Sequence, residues 1–590
     1  MAKNFQQIET ASMKRMNIIL FRSAIVLACL LCSSYAHARV GADIPWTTYE
    51  AEDMKTTGTV LGPKYGPFLV ETESSGQKCV KLVGDSEYVE FTVQSPANTM
   101  VVRYSLPDAP NGGGINSSLD LYQNGKFVKT LPITSTYSWL YGKYPFTNDP
   151  KAGKPRNFYD ECRLKDLTFA QGDVIRLVKT DASAPYCIVD LVDLENVAPP
   201  MTAPENSLSV TQFGAGGAGV TDDTKALRDC IAEARQSGKI VWVPAGVYKL
   251  TGDIIVPSGV TIQGAGMWHT TFEGSPELYG QPNRRVRFKL IGHDLHLADF
   301  AIIGKLNYRN DSEQNDGIFG AGCTNATVSR IWVEHTKVGM WFYVCNGIVI
   351  DGCRLRDTMA DGINFCVDTR NSIVQNCTTR NTGDDCFAMW PAASDQGFAQ
   401  KASIPGSNIF RHDTGELPFL ANGGAIYGGS NNRIEDCLFM DISPGCGILL
   451  SSTFPTSDDS RKIDNNFSGT TVVQNCDLVR CGGYDHDWAW RAAFQICMDR
   501  RSISGLDISN VNITDSISDG FSIVAPGRDK GQGMLSNTHL DNVNVPNYGI
   551  GTDSRHGLWV RNDAGGSLTI ANSKFADIQD SSTNFVIIKE

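Results

Sequence analysis

The chain has 590 residues, a formal net charge of −12 and 20% charged residues, against about 25% in an average soluble chain. The acidic balance excludes a nucleic-acid binder, which needs a basic stripe, and 41% hydrophobic residues exclude global disorder. Glycine at 57 residues, with abundant Asn, Asp, Ser and Thr, describes a turn-rich β protein.

Lys14, Arg15 and Arg22 precede an apolar run from Ser23 to Leu31, and Ala36-His37-Ala38 follows as an A-x-A cleavage pattern. This predicts a signal peptide over residues 1–38 and a secreted protein, extracellular or periplasmic. The run is too short to span a membrane; a lipoprotein acylated on Cys29 or Cys32 is the alternative. No later segment is long and apolar enough to cross a bilayer. Export permits disulfides, but the 15 remaining cysteines are odd in number and show no zinc spacing. Many fall in a repeat where Cys serves as a small buried apolar residue.

Residues 39–199 alternate as short strands, such as Tyr88–Val93, Val101–Tyr104 and Val174–Leu177. Asn124-Gly125 between two such runs is a hairpin signal, and the whole reads as a β-sandwich. Ala198–Pro204 is the linker. The opening Tyr49-Glu50-Ala51-Glu52 and the closing Ile188-Val189-Asp190-Leu191 resemble the ends of galactose-binding-like sandwiches of carbohydrate-binding modules. That resemblance implies a structural Ca²⁺ on Glu50, Glu52 and Asp190, and oxygen ligands suit such a hard cation. Taken alone, they are three surface acids.

Residues 205–590 change character. Lys225–Gln236 has helical periodicity, with Leu227, Ile231 and Ala234 on one face, and strands follow at Val241–Val243 and Val260–Gly264. This order resembles the entry of pectate-lyase-like right-handed β-helices, where a short helix caps the open end. A repeat supports it independently: Ser329-Arg330-Ile331, Asp351-Gly352-Cys353, Gln375-Asn376-Cys377, Glu435-Asp436-Cys437, Gln474-Asn475-Cys476 and Ser509-Asn510-Val511. Steps of 22 and 24 residues from Ile331 to Cys353 to Cys377 are one coil of a parallel β-helix. The last residue of each triplet stacks inside as a ladder. Wider gaps predict insertions near 391–432 and 453–466. The fold class is therefore all-β: a right-handed parallel β-helix preceded by a β-sandwich.

Eight residues after the ladder position come Asp361-Gly362, Asp385 and Asp519-Gly520. Asp361 and Asp385 are one coil apart, so stacking at about 4.8 Å makes them neighbours, and Asp384 adds a third carboxylate. Like charges this close cannot all ionise freely, which raises one pKa as a general acid requires. An Asn/Asp turn ladder, the ordinary reading of a lone Asp-Gly, accounts for Asp519. Paired carboxylates without metal-binding histidines point to glycoside hydrolysis.

The order of sandwich, linker and β-helix, with Asp361-Gly362 followed one coil later by Gly383-Asp384-Asp385, resembles glycoside hydrolase family 87, the α-1,3-glucanases and mycodextranases. The resemblance spans the mature chain. It implies a secreted, endo-acting, inverting hydrolase of α-1,3-glucan, with Asp361, Asp384 and Asp385 catalytic, Ca²⁺ only structural and no cofactor for catalysis. By analogy with polygalacturonases, Asp384 is the acid and Asp361/Asp385 hold the water. Strand alternation would point Asp384 and Asp385 to opposite faces, so the chain must turn or bulge there, which Gly383 permits.

Trp341, Trp390, Tyr427 and Trp488 are candidate sugar platforms. Asp485, His486 and Asp487 are a polar cluster after Cys476, at the register of Asp361; of these, Asp485 and His486 are candidate substrate ligands. Tyr137, Trp139, Tyr141, Tyr144, Phe146, Phe158 and Tyr159 form either a sugar-binding loop or the sandwich–helix interface, the latter favoured because a tethered sandwich needs an apolar docking surface. The expected partner is an α-glucan, with no nucleic acid or membrane, and the chain a monomer. Alternatives are a mycodextranase acting on nigeran and a polysaccharide lyase on the same fold, against which the aspartate trio argues. A polygalacturonase is disfavoured because Gly423-Gly424-Ala425-Ile426 holds no histidine.

Overall fold

Alternating apolar residues in the first segment fold into two antiparallel sheets, one of six strands and one of five. The computed structural model describes residues 40–590 except 154–155, 314–315, 402–403, 455, 487 and 528–532. The signal peptide expected at 1–38 lies outside the described residues. No described helix is long and apolar enough to cross a membrane. The inward-facing Val80, Val89, Val102, Leu119, Leu177 and Val189 are fully buried between the sheets. Strands Asn116–Gln123 and Lys126–Thr134 are joined by Asn124-Gly125. Both turn residues have positive φ, 52° and 76°, as a tight hairpin of the right twist requires.

From Ser207 onward the chain winds into a right-handed parallel β-helix, with sheets of 22 and 12 strands. The helix Thr224–Ser237 buries Leu227, Ile231 and Ala234 against the first coils and ends at Gly238, φ 66°. It covers backbone edges that would otherwise template further pairing. The ladder residues Ile331, Cys353, Cys377, Cys437, Cys476 and Val511 are all buried in one continuous core. All 15 described cysteines are free, and only Cys162 is not fully buried.

The insertion expected near 391–432 is one only in its first part, before Ile409. Residues 409–426 form a complete coil, with Ile409–Arg411 pairing Ile373–Gln375 on one side and Arg433–Glu435 on the other. Its ladder position is Asp413, not an apolar residue, and that hid it. Asp413 is fully buried and accepts the N–H groups of Cys377 (2.8 Å) and Arg411 (3.1 Å). Excursions from the coils include the short hairpins Ser394–Asp395 with Phe398–Ala399 and Ser457–Asp458 with Ile463–Asp464.

A column of coil corners faces the sandwich. His335, Asp357, Asn381 and Asp441 recur there with φ between 50° and 59°, a conformation Asn, Asp and His tolerate best. The seam they form is largely ionic. Arg380, 2% exposed at its side chain, reaches Glu161 (2.7 Å), Asp193 (2.6 Å) and Glu416 (3.5 Å). Arg354 binds both carboxyl oxygens of Glu195, at 2.7 and 2.9 Å. Part of the aromatic stretch also docks: Phe146 and Leu140 pack with Leu306, Met359, Phe419 and Leu420, whereas Trp139, Phe158 and Tyr159 pack within the sandwich against Cys79 and Ile188. Sandwich and β-helix together make one compact unit, Gly41–Glu590.

Replacing Arg380 leaves buried carboxylates uncompensated, at a cost of about 3–5 kcal/mol. Arg380→Met should therefore lower the urea midpoint strongly. A midpoint within error of wild type would show that this network does not hold the seam.

Candidate functional site

The site starts from in-register pairing of strands Ile363–Cys366 and Phe387–Trp390, with Ile363 opposite Phe387. Two residues upstream of each lie Asp361 and Asp385. One carboxyl oxygen from each of Asp361, Asp384 and Asp385 lies within 4.8 Å of the other two. Asp384 and Asp385 precede the strand in a bend, so strand alternation does not separate them. Gly383 permits the bend by close approach, since a Cβ there would lie 2.3 Å from the Met359 carbonyl oxygen.

Each carboxyl has its own surroundings. Asp385, 2% exposed, accepts hydrogen bonds from Tyr427 Oη (2.7 Å), Asn422 Nδ2 (2.8 Å) and Asn422 N (3.2 Å). Burial and the neighbouring Asp384 still push its pKa up to about 7 against those bonds. Asp361 accepts one bond, from Asn364 Nδ2 at 3.0 Å. Burial, then Asp384 and Asp385, hold its pKa well above the usual carboxylate range. Asp384 is the least enclosed, with 23% of its side chain exposed, and Arg309 Nη2 donates to it at 2.7 Å. Arg309 also donates to Asp311 (2.8 Å) and to the Met359 and Gly383 carbonyls (3.2 and 2.6 Å). Three carboxylates at this spacing suit a hard cation, but here a buried guanidinium already brings positive charge.

The trio opens into a cavity of about 220 Å³ that Trp341, Trp390, Tyr427, Lys337 and Phe454 help to line. Tyr427 is 5% exposed and spends its hydroxyl on Asp385, so it positions the carboxylate rather than offering a stacking face. Asp485 and His486 are not at the register of Asp361; Ala492 is, two residues before Phe494, which pairs with Ile448. They lie instead in and beside the hairpin Tyr484–Asp485 with Ala489–Trp490, outside the cavity wall. Asp485 there anchors His486 and Arg491. Burial alone would raise its pKa, but His486 and Arg491 outweigh burial and hold it at about 2. Trp488, 49% exposed, stacks on His486 at 4.7 Å. Asp487 lies outside the described residues.

Asn422 and Arg309 escaped the sequence reading, while Tyr144 fits its sugar-binding-loop alternative. Tyr144 reaches the cavity from the sandwich, under Arg309 (4.9 Å) and edge-on to His486 (4.8 Å). Asn422 is the coil-register successor of Asp385 and was hidden with its unrecognised coil. Arg309 lies on an irregular stretch with no periodic signal.

Asp190 lies close enough to act electrostatically on Glu50 and Glu52, but ligand atoms of the three do not converge as those of Asp361, Asp384 and Asp385 do. Asp190 pairs with Arg103 and accepts from Ser75 N (3.0 Å). Glu50 Oε2 and Glu52 Oε2 are buried without a hydrogen-bond partner. Burial, with Asp190 adding to it, raises Glu50 to about 8 and Glu52 to about 7. The two glutamates thus fit a cation, while Asp190 is committed to a guanidinium.

Two family models match the chain: α-1,3-glucanase catalytic domain D1 over residues 43–197 and domain D2 over 220–586. The crystal structure of the Agl-KA catalytic domain superposes with a TM-score of 0.82 at 28% identity, covering 94% of this chain and 99% of that one. The catalytic unit of a thermostable GH87 α-1,3-glucanase from Streptomyces thermodiastaticus strain HF3-3 gives 0.78 at 30% identity, covering 93% and 94%. A GH87 α-1,3-glucanase catalytic domain in complex with nigerose gives 0.75 at 26% identity, covering 93% and 98%. The chain spans between 4% and 26% of the length of the curated proteins it matches. The chain belongs to the α-1,3-glucanase family GH87.

The Tyr427 hydroxyl stabilises ionised Asp385, and a hydrogen bond to a charge is worth about 1.5–3 kcal/mol. Its loss in Tyr427→Phe raises that pKa further. The acid limb of kcat/KM should then move up by about one pH unit, each unit being about 1.36 kcal/mol. An unmoved limb would mean that Asp385 is not the group that must be ionised.

Proposed function

We propose that this GH87 protein is a secreted, endo-acting, inverting α-1,3-glucanase whose catalytic groups are Asp361, Asp384 and Asp385. The observation that carries this is the convergence of the three carboxyls in one aromatic-walled cavity of a chain with GH87 architecture. Endo action is supported by position: the trio precedes the fifth and sixth of the twelve strands in its sheet, so coils extend on both sides for a polymer to follow.

Hydrolysis needs one carboxyl that keeps a proton and one that takes a proton from water. Mutual repulsion and burial retain a proton within the trio. Asp384 is the carboxyl most open to the cleft and so best able to touch the leaving oxygen, while Asp361 and Asp385 stack beneath it and can hold a water. A second reading, with Asp361 as donor, is favoured by the Arg309–Asp384 ion pair, which supports ionised Asp384, and by the raised pKa of Asp361.

Inversion has support of a different kind. Both oxygens of Asp385 are hydrogen-bonded, Asp384 is held by Arg309, and Asp361 tends to stay protonated. In the inverting reading these contacts hold the carboxyls as base and donor, and water is the attacking group. The closest-oxygen spacing is shorter than the about 6.5–9.5 Å usual between inverting carboxyls. The inverting assignment therefore rests on the likeness to GH87, and the anomer of the first product decides it.

A panel of insoluble α-1,3-glucan, nigeran, dextran and pectate, with products sized by chromatography, tests the substrate class. Oligosaccharides should come from α-1,3-glucan; release from nigeran alone would make the protein a mycodextranase, and unsaturated products a lyase. An α-1,3-linked glucoside with an activated aryl leaving group separates the two readings. The variant lacking the donor should retain activity on it and lose about 10²–10⁴-fold on unactivated glucan. If Asp361→Asn rather than Asp384→Asn behaves so, the second reading holds.

Glu50 and Glu52 would hold Ca²⁺ through their orphaned oxygens, where it would fix the first strand against Ser75. A ligand bound only by the folded state stabilises it. Chelation should thus lower the melting temperature of the wild type and leave Glu50→Gln/Glu52→Gln unmoved; an unmoved wild type would remove the calcium.

A further inference from the structure

Away from the cleft, the sandwich–helix seam holds a second cluster of ligating side chains. Asp160 opens the sandwich strand Asp160–Leu164, and His335 and Asp357 occupy the same corner of successive coils. One ligating atom from each lies within 4.8 Å of the other two, and all three are buried. We propose that Asp160, His335 and Asp357 form a binding site for a borderline divalent cation of the Zn²⁺ class, which ties the sandwich to the β-helix.

Three observations carry this. The donor set is one imidazole nitrogen and two carboxylates, the mixture that suits zinc and its neighbours rather than calcium. As ligands, two carboxylates and a neutral imidazole would sum to −2, matching a divalent ion, and the other acids nearby are already paired: Glu161 with Arg380 (2.7 Å) and Glu334 with Arg163 (3.3 Å). Asp357, 1% exposed, keeps Oδ2 without any hydrogen-bond partner, an expense a buried acid does not ordinarily bear.

The supporting groups around the cluster are those that orient metal ligands. His335 turns Nε2 toward Asp160 Oδ1 (2.8 Å) and Nδ1 toward Glu334 (3.6 Å), with its ring stacked on Tyr137 at 4.0 Å. Asp160 accepts from Glu161 N (2.8 Å), and Asp357 Oδ1 accepts from Asn381 Nδ2 (2.5 Å). Beside the cluster, a cavity of about 380 Å³ is lined by Asp160, Tyr137, Glu273, Lys305, Glu334 and His335, which gives an entry path and room for a water as fourth ligand.

Full-length protein stripped with chelator and titrated with Zn²⁺ in a calorimeter should show one strong site. His335→Gln should weaken it at least about 100-fold and Asn381→Ala by about 10–100-fold, the usual cost of losing an orienting partner. His293→Gln, on an exposed histidine, should bind as wild type. If His335→Gln does not fold, the wild type still decides: an anomalous map at the zinc edge should place the ion about 2.0–2.2 Å from His335 and both aspartates. No strong site, a peak elsewhere, or equal binding by folded His335→Gln would overturn the proposal. Ca²⁺ should not compete, which separates this site from Glu50 and Glu52.

Discussion

The register of the parallel coils is the constraint on which the site depends. Pairing of Ile363 with Phe387 fixes Asp361 directly against Asp385, and the same ladder places Asn422 next in line to hydrogen-bond Asp385. A slip of one residue would turn each side chain to the other face. The register is held from inside by Ile331, Cys353, Cys377 and their successors, whose burial leaves no alternative pairing that keeps the core apolar. Three acids that repel one another are therefore kept together by a core they do not touch.

A second constraint acts from outside. The sandwich is joined to the coils by buried ion pairs, and replacing one member of such a pair costs more than the pair itself contributes. This suits a seam that must keep its geometry rather than merely adhere. Tyr144 shows the consequence. It belongs to the sandwich yet lines the cleft under Arg309, which in turn grips Asp384. The cleft is thus a product of both parts.

Much of this was legible in the sequence, for identifiable reasons. A 24-residue step between Asp361 and Asp385 sufficed to stack them, and the apolar triplet ends marked most coils. Where polar residues took apolar places the reading failed: Asp413 in the ladder concealed a coil, and with it Asn422. Counting from Cys476 misplaced Asp485 and His486, because the hairpin at Tyr484–Trp490 intervenes before the strand resumes. Tyr427 read as a sugar platform because sequence does not reveal that its hydroxyl is spent on Asp385. Arg309 could not be found at all, since long-range charge pairing leaves no periodicity.

The most direct test of the account is proton NMR during the first minutes of hydrolysis of a soluble α-1,3-linked gluco-oligosaccharide, read before mutarotation. In the proposed mechanism, water held by the Asp361/Asp385 stack attacks opposite the leaving group, so the new reducing end should first appear as the β-anomer. First appearance of the α-anomer would mean retention. One of the three aspartates would then have to be a covalent nucleophile, contrary to the proposed attack by water.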